Sequence, residues 1–222
     1  RKAFAPLVEK VSFASFGDMD SLRSVIDEDT AFIILEPIQG ESGIVVAPDG
    51  FLQEVRKLCD EKGILLVFDE IQAGLGRTGR LWAGDHWNTV PDILCLAKGI
   101  AGGVPMGATL VRPDILAAIS KGEHSSTFGG NPISCAAGIA ALTAITEDGL
   151  IENSKKMGEM FKEGLEKLKE KHTMIREIRG KGLMIGIEMK FEVKDILMGL
   201  IEEGVLMLYS GRNILRILPP LV

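Results

Sequence analysis

Three apolar runs of this sequence are each followed by charged side chains that could carry out chemistry. Asp69 and Glu70 follow the run ILLVF, Glu36 and Glu41 follow AFIIL, and Lys98 follows DILCLA. Short, wholly apolar runs are typical of strands buried in a parallel sheet, and ligands of open α/β sheets bind at the carboxyl ends of such strands. We therefore expect two kinds of charge to meet at one edge of a sheet.

An acid and a lysine at such an edge allow two interpretations. The first is a salt bridge, or a solvated carboxylate in a loop, with no chemistry. The second is the pair that pyridoxal phosphate requires, in which a lysine amine forms a Schiff base with the aldehyde and a carboxylate keeps the pyridine nitrogen protonated. The run GIAGGVPMG after Lys98 would let a bulky ligand approach the backbone.

The segment GLGRTG, residues 74–79, fits the pattern G-x-G-x-x-G of dinucleotide-binding folds. That fingerprint requires its glycines at the turn between a strand and a helix. Here five residues separate the predicted strand from Gly74, and RLWAGDHWNTVPD, which follows the motif, is no helix of small apolar residues. We interpret the match as accidental. On this interpretation the segment is a flexible glycine loop that exposes Arg77 and Arg80, and the alternative is a dinucleotide-binding turn.

The apolar pattern predicts alternating strands and helices in the first two thirds of the chain. Strands are expected over residues 31–35, 64–68, 92–96 and 107–111, with a helix over residues 50–62 that ends at Gly63. This alternation is that of βαβ units. It indicates an α/β fold with a mostly parallel or mixed sheet whose strands are covered on both faces.

From Asn131 onward the pattern changes. A helix that starts there is followed by an amphipathic helix over residues 150–171, two strands around Gly180 and Gly182, a helix over residues 193–203 and a strand over residues 214–218. We place a domain boundary near residue 148. It divides the chain into a large α/β part, residues 1–147, and a smaller α+β part, residues 148–222.

Composition argues against several classes of function. The net charge is -6, with Lys and Glu interspersed along the predicted helices, so no basic face is offered to nucleic acid. No apolar run reaches the roughly 18 to 20 residues of a transmembrane helix, and the start RKAFAPLVEK lacks the apolar region of a signal peptide. These features favour a cytoplasmic protein without a membrane partner. Cys59, Cys95 and Cys135 are widely spaced and are expected to be buried, reduced thiols.

The two ends of the sequence suggest a piece of a longer protein. The chain has no initiating Met, and its last residues, ILRILPPLV, stop inside an apolar run.

Five motifs together resemble one enzyme family. LEPIQGESG, VFDEIQAGLGRTG, PDILCLAKGIAGG, STFGGNP and IRGKGLMIGIE have the order and the spacing of the class III pyridoxal-phosphate aminotransferases. Within that class the sequence is most similar to the acetylornithine and ornithine aminotransferases and to related enzymes of lysine biosynthesis. The resemblance covers nearly the whole chain. It implies the fold type I architecture, in which a large cofactor-binding α/β domain precedes a smaller C-terminal domain.

The resemblance assigns roles to residues around the cofactor, pyridoxal 5'-phosphate. It implies that Lys98 forms the Schiff base and then shuttles a proton, that Asp69 pairs with the pyridinium nitrogen, and that Gln72 hydrogen-bonds the phenolic oxygen. Thr127 would contact the phosphate bound by the neighbouring subunit, so the active site would be shared in a homodimer. Without the resemblance, Thr127 could instead cap the helix that starts at NPISCAAG, although Asn131 suits that role better.

Two further residues are expected to bind substrate. Arg216, in ILRILPPL, matches the family arginine that receives the α-carboxylate of glutamate or 2-oxoglutarate, and Glu41 would pair with it when no second carboxylate is present. From its position alone, Arg216 would be a strand residue on a solvated face. The N-terminal half of the family, with its phosphate-binding loop, and its last C-terminal helix have no counterpart in this sequence.

The implied reaction moves the terminal amino group of an ornithine- or lysine-type donor to 2-oxoglutarate, in arginine or lysine biosynthesis. Alternatives within the class are ornithine or 4-aminobutyrate aminotransferase and glutamate semialdehyde aminomutase. Alternatives from other classes are a nucleotide-binding module built on GLGRTG and a non-catalytic dimerisation fragment. The sequence implies no metal.

Overall fold

Sixteen α-helices and β-strands follow one another in the described part of the chain. A computed structural model describes residues 4–222; residues 1–3, which belong to the first predicted domain and to the start RKAFAPLVEK, lie outside the described residues. In order, the elements are α1 (Met19–Arg23), β1 (Phe32–Leu35), β2 (Ile38–Gln39), β3 (Val45–Val46), α2 (Phe51–Lys62), β4 (Leu65–Asp69), β5 (Ile93–Leu96), β6 (Ala108–Val111), α3 (Pro113–Leu116), α4 (Pro132–Glu147), α5 (Leu150–Lys171), β7 (Ile175–Lys181), β8 (Met184–Met189), α6 (Lys194–Glu202), β9 (Leu208–Ser210) and β10 (Ile214–Ile217).

The first sheet has the strand order β1-β4-β5-β6. β1 pairs with β4 and β4 with β5 in parallel, whereas β6 runs antiparallel to β5. In register, Leu35 lies opposite Phe68, and Asp69 lies opposite Cys95. The predicted α/β fold with a mostly parallel mixed sheet is therefore confirmed. The carboxyl ends of β1, β4 and β5 meet at one edge, as the sequence predicted.

The second sheet has the strand order β7-β8-β10-β9, and all of its pairs are antiparallel. One face carries a small apolar core formed by Ile178, Ile185, Ile187 and Leu215, against which Leu165 of α5 packs. The opposite face, which includes Met184 and Gly186, looks toward the first sheet, since Met184 belongs to the larger core cluster. The predicted boundary near residue 148 falls between α4 and α5 and stays a prediction.

The helix α2 covers one face of the first sheet. Leu52, Val55 and Leu58 are spaced so that they share one helix face, and they are buried with Leu66 and Phe68 of β4. Gly63 ends the helix in the left-handed conformation, where its N–H donates to a carbonyl of the last turn. The predicted helix and its glycine stop are therefore confirmed.

The two edge strands of the first sheet, β1 and β6, are not covered on both faces by the described residues. In β1, Phe32 and Ile34 are exposed while Ile33 is buried, and in β6 Leu110 is exposed. β1 and β6 therefore each present apolar side chains on an open face. The sequence also missed the short β2–β3 ribbon, β9, α1 and α3. These elements are too short to set a period, and none of them is a continuous apolar run of four or five residues like the predicted strands.

Each helix among residues 4–222 is either too short or too polar to span a bilayer by itself. The pair α4 and α5, bent by 59° at their junction, satisfies the length and composition requirements only when the two are counted together.

Candidate active site

Four charged side chains lie close enough to influence one another at the edge where β1, β4 and β5 end: Glu36, Glu41, Asp69 and Lys98. Glu36 follows β1, Asp69 ends β4, and Lys98 follows β5 by two residues. Burial raises the pKa of Glu36 above its ordinary value and outweighs its hydrogen bond from a backbone N–H; the neighbouring Asp69 and Glu41 raise this pKa further, and Lys98 lowers it. These charges act on one another, so they form a cluster at the edge of the sheet, as the sequence predicted.

Asp69 is half-buried at the end of its strand. Its Oδ1 atom accepts a hydrogen bond from the Ile71 N–H at 3.0 Å, which fixes one side of the carboxylate. The backbone on either side is held as well, because the Glu70 N–H donates to the Cys95 carbonyl at 3.0 Å. Asp69 is therefore a fixed carboxylate in the cluster.

Lys98 has an unusual backbone. It is the first residue of the 3₁₀ helix Lys98–Ala101 and has a φ of 49°, in the left-handed region that residues with a side chain avoid. The next residues hold it there, since Ile100 and Ala101 are buried in the core. Strained positions of this kind persist where the surroundings over-determine them, and they concentrate at functional sites.

Glu41 joins two other side chains of the site. It lies in the loop formed by residues 40–44, here called the Glu41 loop. Its Oε1 atom accepts a hydrogen bond from Gln72 Nε2 at 2.9 Å and one from Arg216 Nη1 at 2.6 Å. The hydrogen bond from Arg216, followed by that from Gln72, lowers the pKa of Glu41 below its ordinary value. Glu41 is therefore ionised and paired near neutral pH.

Arg216 is buried, which corrects the expectation, based on its position alone, of a strand residue on a solvated face. It is 7% exposed and lies within β10, opposite Gly186 of β8 and Leu208 of β9. Its Nε atom is buried without a hydrogen-bond partner among the described residues. A buried guanidinium with an unused donor is costly, so the carboxylate that Glu41 presents to Nη1 is an essential part of the charge balance of Arg216.

Thr127 is not joined to this cluster by a hydrogen bond of the described chain. It is exposed, in the turn that precedes α4. The cap of that helix is Asn131, whose Oδ1 atom accepts from the Ser134 N–H at 2.9 Å, so the alternative role of Thr127 as a helix cap is wrong.

The segment GLGRTG forms a packed junction, and the expectation that its Arg77 is exposed is wrong. Arg77 is half-buried, and its Nη1 atom donates to the carbonyls of Leu183, at 3.2 Å, and Pro219. A Cβ atom on Gly182 would lie 2.3 Å from the backbone of Thr78. The next element is the 3₁₀ helix Ala83–Trp87 and no α-helix starts there, so the structure agrees that the match to a dinucleotide fingerprint is accidental.

Glu70 is a buried carboxylate to which the sequence assigned no role. It is 1% exposed, and its two oxygens accept from the N–H groups of Ala83 at 2.6 Å and Gly84 at 2.8 Å. Burial raises its pKa to about 7 in spite of these hydrogen bonds. Glu70 therefore anchors the start of the 3₁₀ helix. Its place directly after an apolar strand was the available sign that it is buried.

The described residues contain no group of three or more His, Cys, Asp or Glu side chains that could hold a metal ion. The three cysteines are free: Cys59 is buried, as expected, whereas Cys95 and Cys135 are half-buried.

Comparisons of the sequence and of the structure with known proteins both match aminotransferases. The family described as "Aminotransferase class-III" matches residues 4–222. The acetylornithine aminotransferase of Caldanaerobacter subterraneus subsp. tengcongensis is 45% identical over 222 residues, which are 100% of this chain and 56% of the relative. Ornithine aminotransferase 1 of Staphylococcus saprophyticus is 44% identical over 223 residues, with the same two coverages.

A solved structure is similar over nearly the whole chain. The ornithine aminotransferase of Toxoplasma gondii superposes with a TM-score of 0.95 at 38% identity, covering 98% of this chain and 53% of that one. The chain thus spans about half the length of the proteins it matches.

Proposed function

Because the chain belongs to the class III aminotransferase family, we propose that the whole protein transfers the terminal amino group of an ornithine- or lysine-type donor to 2-oxoglutarate. The donor is acetylornithine or a related derivative that is N-blocked or carrier-linked, and the product of the acceptor is glutamate. The names of the relatives, acetylornithine and ornithine aminotransferases, support this class of donor. Arginine or lysine biosynthesis is the corresponding pathway.

The observation that carries the proposal is the ion pair between Glu41 and Arg216 beside Lys98 and Asp69. A donor whose reacting end is an amine on an apolar chain brings no carboxylate to this position, and Glu41 then neutralises the buried arginine. 2-Oxoglutarate does bring a carboxylate next to its reacting carbon, and that carboxylate can replace Glu41 on Arg216. One pocket can therefore accept two unlike substrates.

The donor set at the sheet edge fits pyridoxal 5'-phosphate. When bound, this cofactor supplies an electron sink for the carbon that bears the amine. Lys98 would hold it through its Nζ atom and would carry the proton taken from the donor carbon. Asp69 would keep the ring nitrogen protonated. Gln72 would donate to the phenolic oxygen, since an amide nitrogen has two N–H groups and only one donates to Glu41.

The assembly and the compartment are part of the same proposal. The protein is a cytoplasmic homodimer in which Thr127 of each subunit contacts the cofactor phosphate of the other. The exposure of Thr127 in the single chain suits a contact with a second subunit. The other substrates are small molecules, with no nucleic acid or membrane partner.

A panel of donors tests the function on the full-length enzyme. Acetylornithine, ornithine, carrier-linked lysine and 4-aminobutyrate are each supplied with 2-oxoglutarate, and glutamate formation is measured. We expect the highest kcat/KM with acetylornithine or the carrier-linked donor. Ornithine is the second candidate donor, because a relative named ornithine aminotransferase is 44% identical to this chain, close to the 45% of the acetylornithine aminotransferase. A clear preference for 4-aminobutyrate, or rearrangement of glutamate semialdehyde without 2-oxoglutarate, would refute the proposal.

A further inference from the structure

The second sheet holds the Glu41 loop at three points. Arg216 Nη1, from β10, donates to Glu41 Oε1 at 2.6 Å. The hydroxyl of Ser210, at the end of β9, donates to the backbone carbonyl of Glu41. Arg179 Nε, from β7, donates to the backbone carbonyl of Gly43 at 2.8 Å. Two of these three contacts hold the backbone and not the side chain.

The strand register explains why these donors face the loop together. Arg179 lies opposite Gly186, and Gly186 lies opposite Arg216, so the three residues form one row across three antiparallel strands and share one face. A Cβ atom on Gly186 would lie 3.1 Å from the Gly43 carbonyl oxygen and 3.1 Å from Ile44. The Glu41 loop therefore rests on a glycine, with one arginine on either side.

Arg179 is itself held in place. Its Nη1 atom lies 2.7 Å from Glu188 Oε2 and 2.7 Å from Glu177 Oε2, and its side chain is 15% exposed. The hydrogen bond from Arg179 is the main reason that the pKa of Glu188 is below its ordinary value. Because both carboxylates bind the end of the guanidinium, the Nε–H group is directed at the loop. A lysine could not make both kinds of contact.

The Glu41 loop requires such support, since its backbone is strained. Ile44 is fully buried and has a φ of 56°, which is a rare conformation for a β-branched residue. Gly43 has a φ of 104°, and a Cβ atom there would lie 2.3 Å from Ile214 of β10. A strained backbone persists only where surrounding contacts over-determine it.

We propose that Arg179, together with Ser210, is a positioning residue that sets the preference for amine donors. The two residues fix the backbone of the Glu41 loop. When a substrate carboxylate replaces Glu41 on Arg216, only the side chain of Glu41 then moves. If the backbone were free, Glu41 would leave Arg216 more readily, and glutamate would compete better as the first donor. The link to donor preference rests on the proposed function; the support of the loop does not.

The test uses the full-length holoenzyme and the variants Arg179→Gln and Ser210→Ala. Arg176→Gln is the matched control, because Arg176 also pairs with Glu188, at 2.7 Å, but is not among the three residues that hold the loop. Hydrogen exchange of the peptide that covers residues 40–46 measures the loop without any activity. Single-turnover rates with the terminal-amine donor and with glutamate measure the preference, and Arg179→Lys serves as a second variant if Arg179→Gln is poorly folded.

We expect faster exchange in the Glu41 loop of Arg179→Gln and Ser210→Ala, no change in Arg176→Gln, and a fall in the preference for the terminal amine on the order of tenfold, as for the loss of one charged hydrogen bond. Unchanged exchange would overturn the support of the loop. Faster exchange with equal losses for both donors, or with unchanged preference, would overturn the role in specificity. If the wild type accepted no amine donor, the proposed function would fail, and the exchange data alone would decide whether Arg179 holds the loop.

Discussion

Arg216 and Glu41 form an ion pair whose two members differ strongly in burial. The Arg216 side chain is 8% exposed and the Glu41 side chain 72% exposed, although only 2.6 Å separates Nη1 from Oε1. The pair joins segments 175 residues apart in the chain. Because the arginine is enclosed by its sheet and the glutamate faces solvent, the glutamate is the partner that can move away when another carboxylate takes its place on Arg216. This asymmetry fixes which side chain moves in the proposed exchange of substrates.

Arg216→Ala should depress the half-reaction with 2-oxoglutarate far more than the half-reaction with the amine donor. Loss of a buried charged contact to a substrate carboxylate costs on the order of 2 to 5 kcal/mol, and only 2-oxoglutarate makes that contact in the proposed function. Glu41→Ala should have the opposite effect in part, because it frees Arg216 to accept glutamate as first donor. Single-turnover absorbance of each half-reaction measures both effects. Equal losses in both half-reactions of Arg216→Ala would leave Arg216 as a structural residue only.

Lys98 should be the residue that is covalently labelled by the cofactor. Its position at the sheet edge, with a φ of 49°, motivates the assignment. Borohydride reduction of the holoenzyme followed by peptide mapping identifies the lysine that carries the label. The same treatment of Lys98→Ala should leave the peptide map unlabelled. A label on another lysine of the wild type would show that the assignment is wrong.

Asp69→Asn should lower turnover by orders of magnitude while the fold survives. The asparagine keeps an Oδ1 acceptor for the Ile71 N–H, now 3.0 Å away, but removes the charge that would hold a proton on the ring nitrogen. Steady-state kinetics measures the loss, and a thermal melt of the same sample is the control for folding. Near-normal turnover in a well-folded variant would contradict the role of Asp69.

Mixing two inactive variants should restore part of the activity if the site is shared. In a heterodimer of Lys98→Ala and Thr127→Ala subunits, one of the two sites contains both native residues. Random assortment would then restore about a quarter of the wild-type sites. Activity is measured before and after the subunits exchange, with native mass spectrometry as the check that heterodimers form. Heterodimers without recovered activity would mean that each subunit binds its own phosphate.

Glu70 should make the stability of the protein fall as the pH rises through the weakly acidic range. Its pKa is about 7 in the folded state and 4.5 ordinarily, because burial disfavours the charged form more than two backbone hydrogen bonds favour it. Between these values the folded state keeps a proton that the unfolded chain has lost. The stabilisation is therefore complete below about pH 4.5 and is lost by about pH 7, with a change of up to about 3 kcal/mol.

Urea unfolding at about pH 5 and about pH 8 measures this change as the difference between the wild type and Glu70→Gln. Glu54→Gln, at an exposed position of α2, is the control and should follow the wild type at both pH values. A constant difference between wild type and Glu70→Gln would show that Glu70 does not bind a proton in this range.

The sequence predicted the first sheet well because its strands are continuous apolar runs with charges at their ends. Parallel pairing of those runs brings their charged ends to one edge, where the structure has Asp69 opposite Cys95. The contacts between the sheets could not be predicted in this way. Arg216 is buried, and Arg179 and Ser210 donate hydrogen bonds to the Glu41 loop, because one particular face of the short antiparallel strands packs against that loop. A one-residue slip of register would reverse that face, and the sequence pattern does not exclude it.

At position 98 the residue that best suits the backbone differs from the residue that the proposed chemistry requires, because Lys98 has a left-handed conformation. Glycine adopts that conformation without the cost of about 1 kcal/mol that a residue with a Cβ atom bears. A laboratory selection for heat resistance alone would therefore favour glycine at position 98, and a selection for growth that requires the enzyme would remove it. In a library of all single substitutions, position 98 is where survivors of the two selections should differ most.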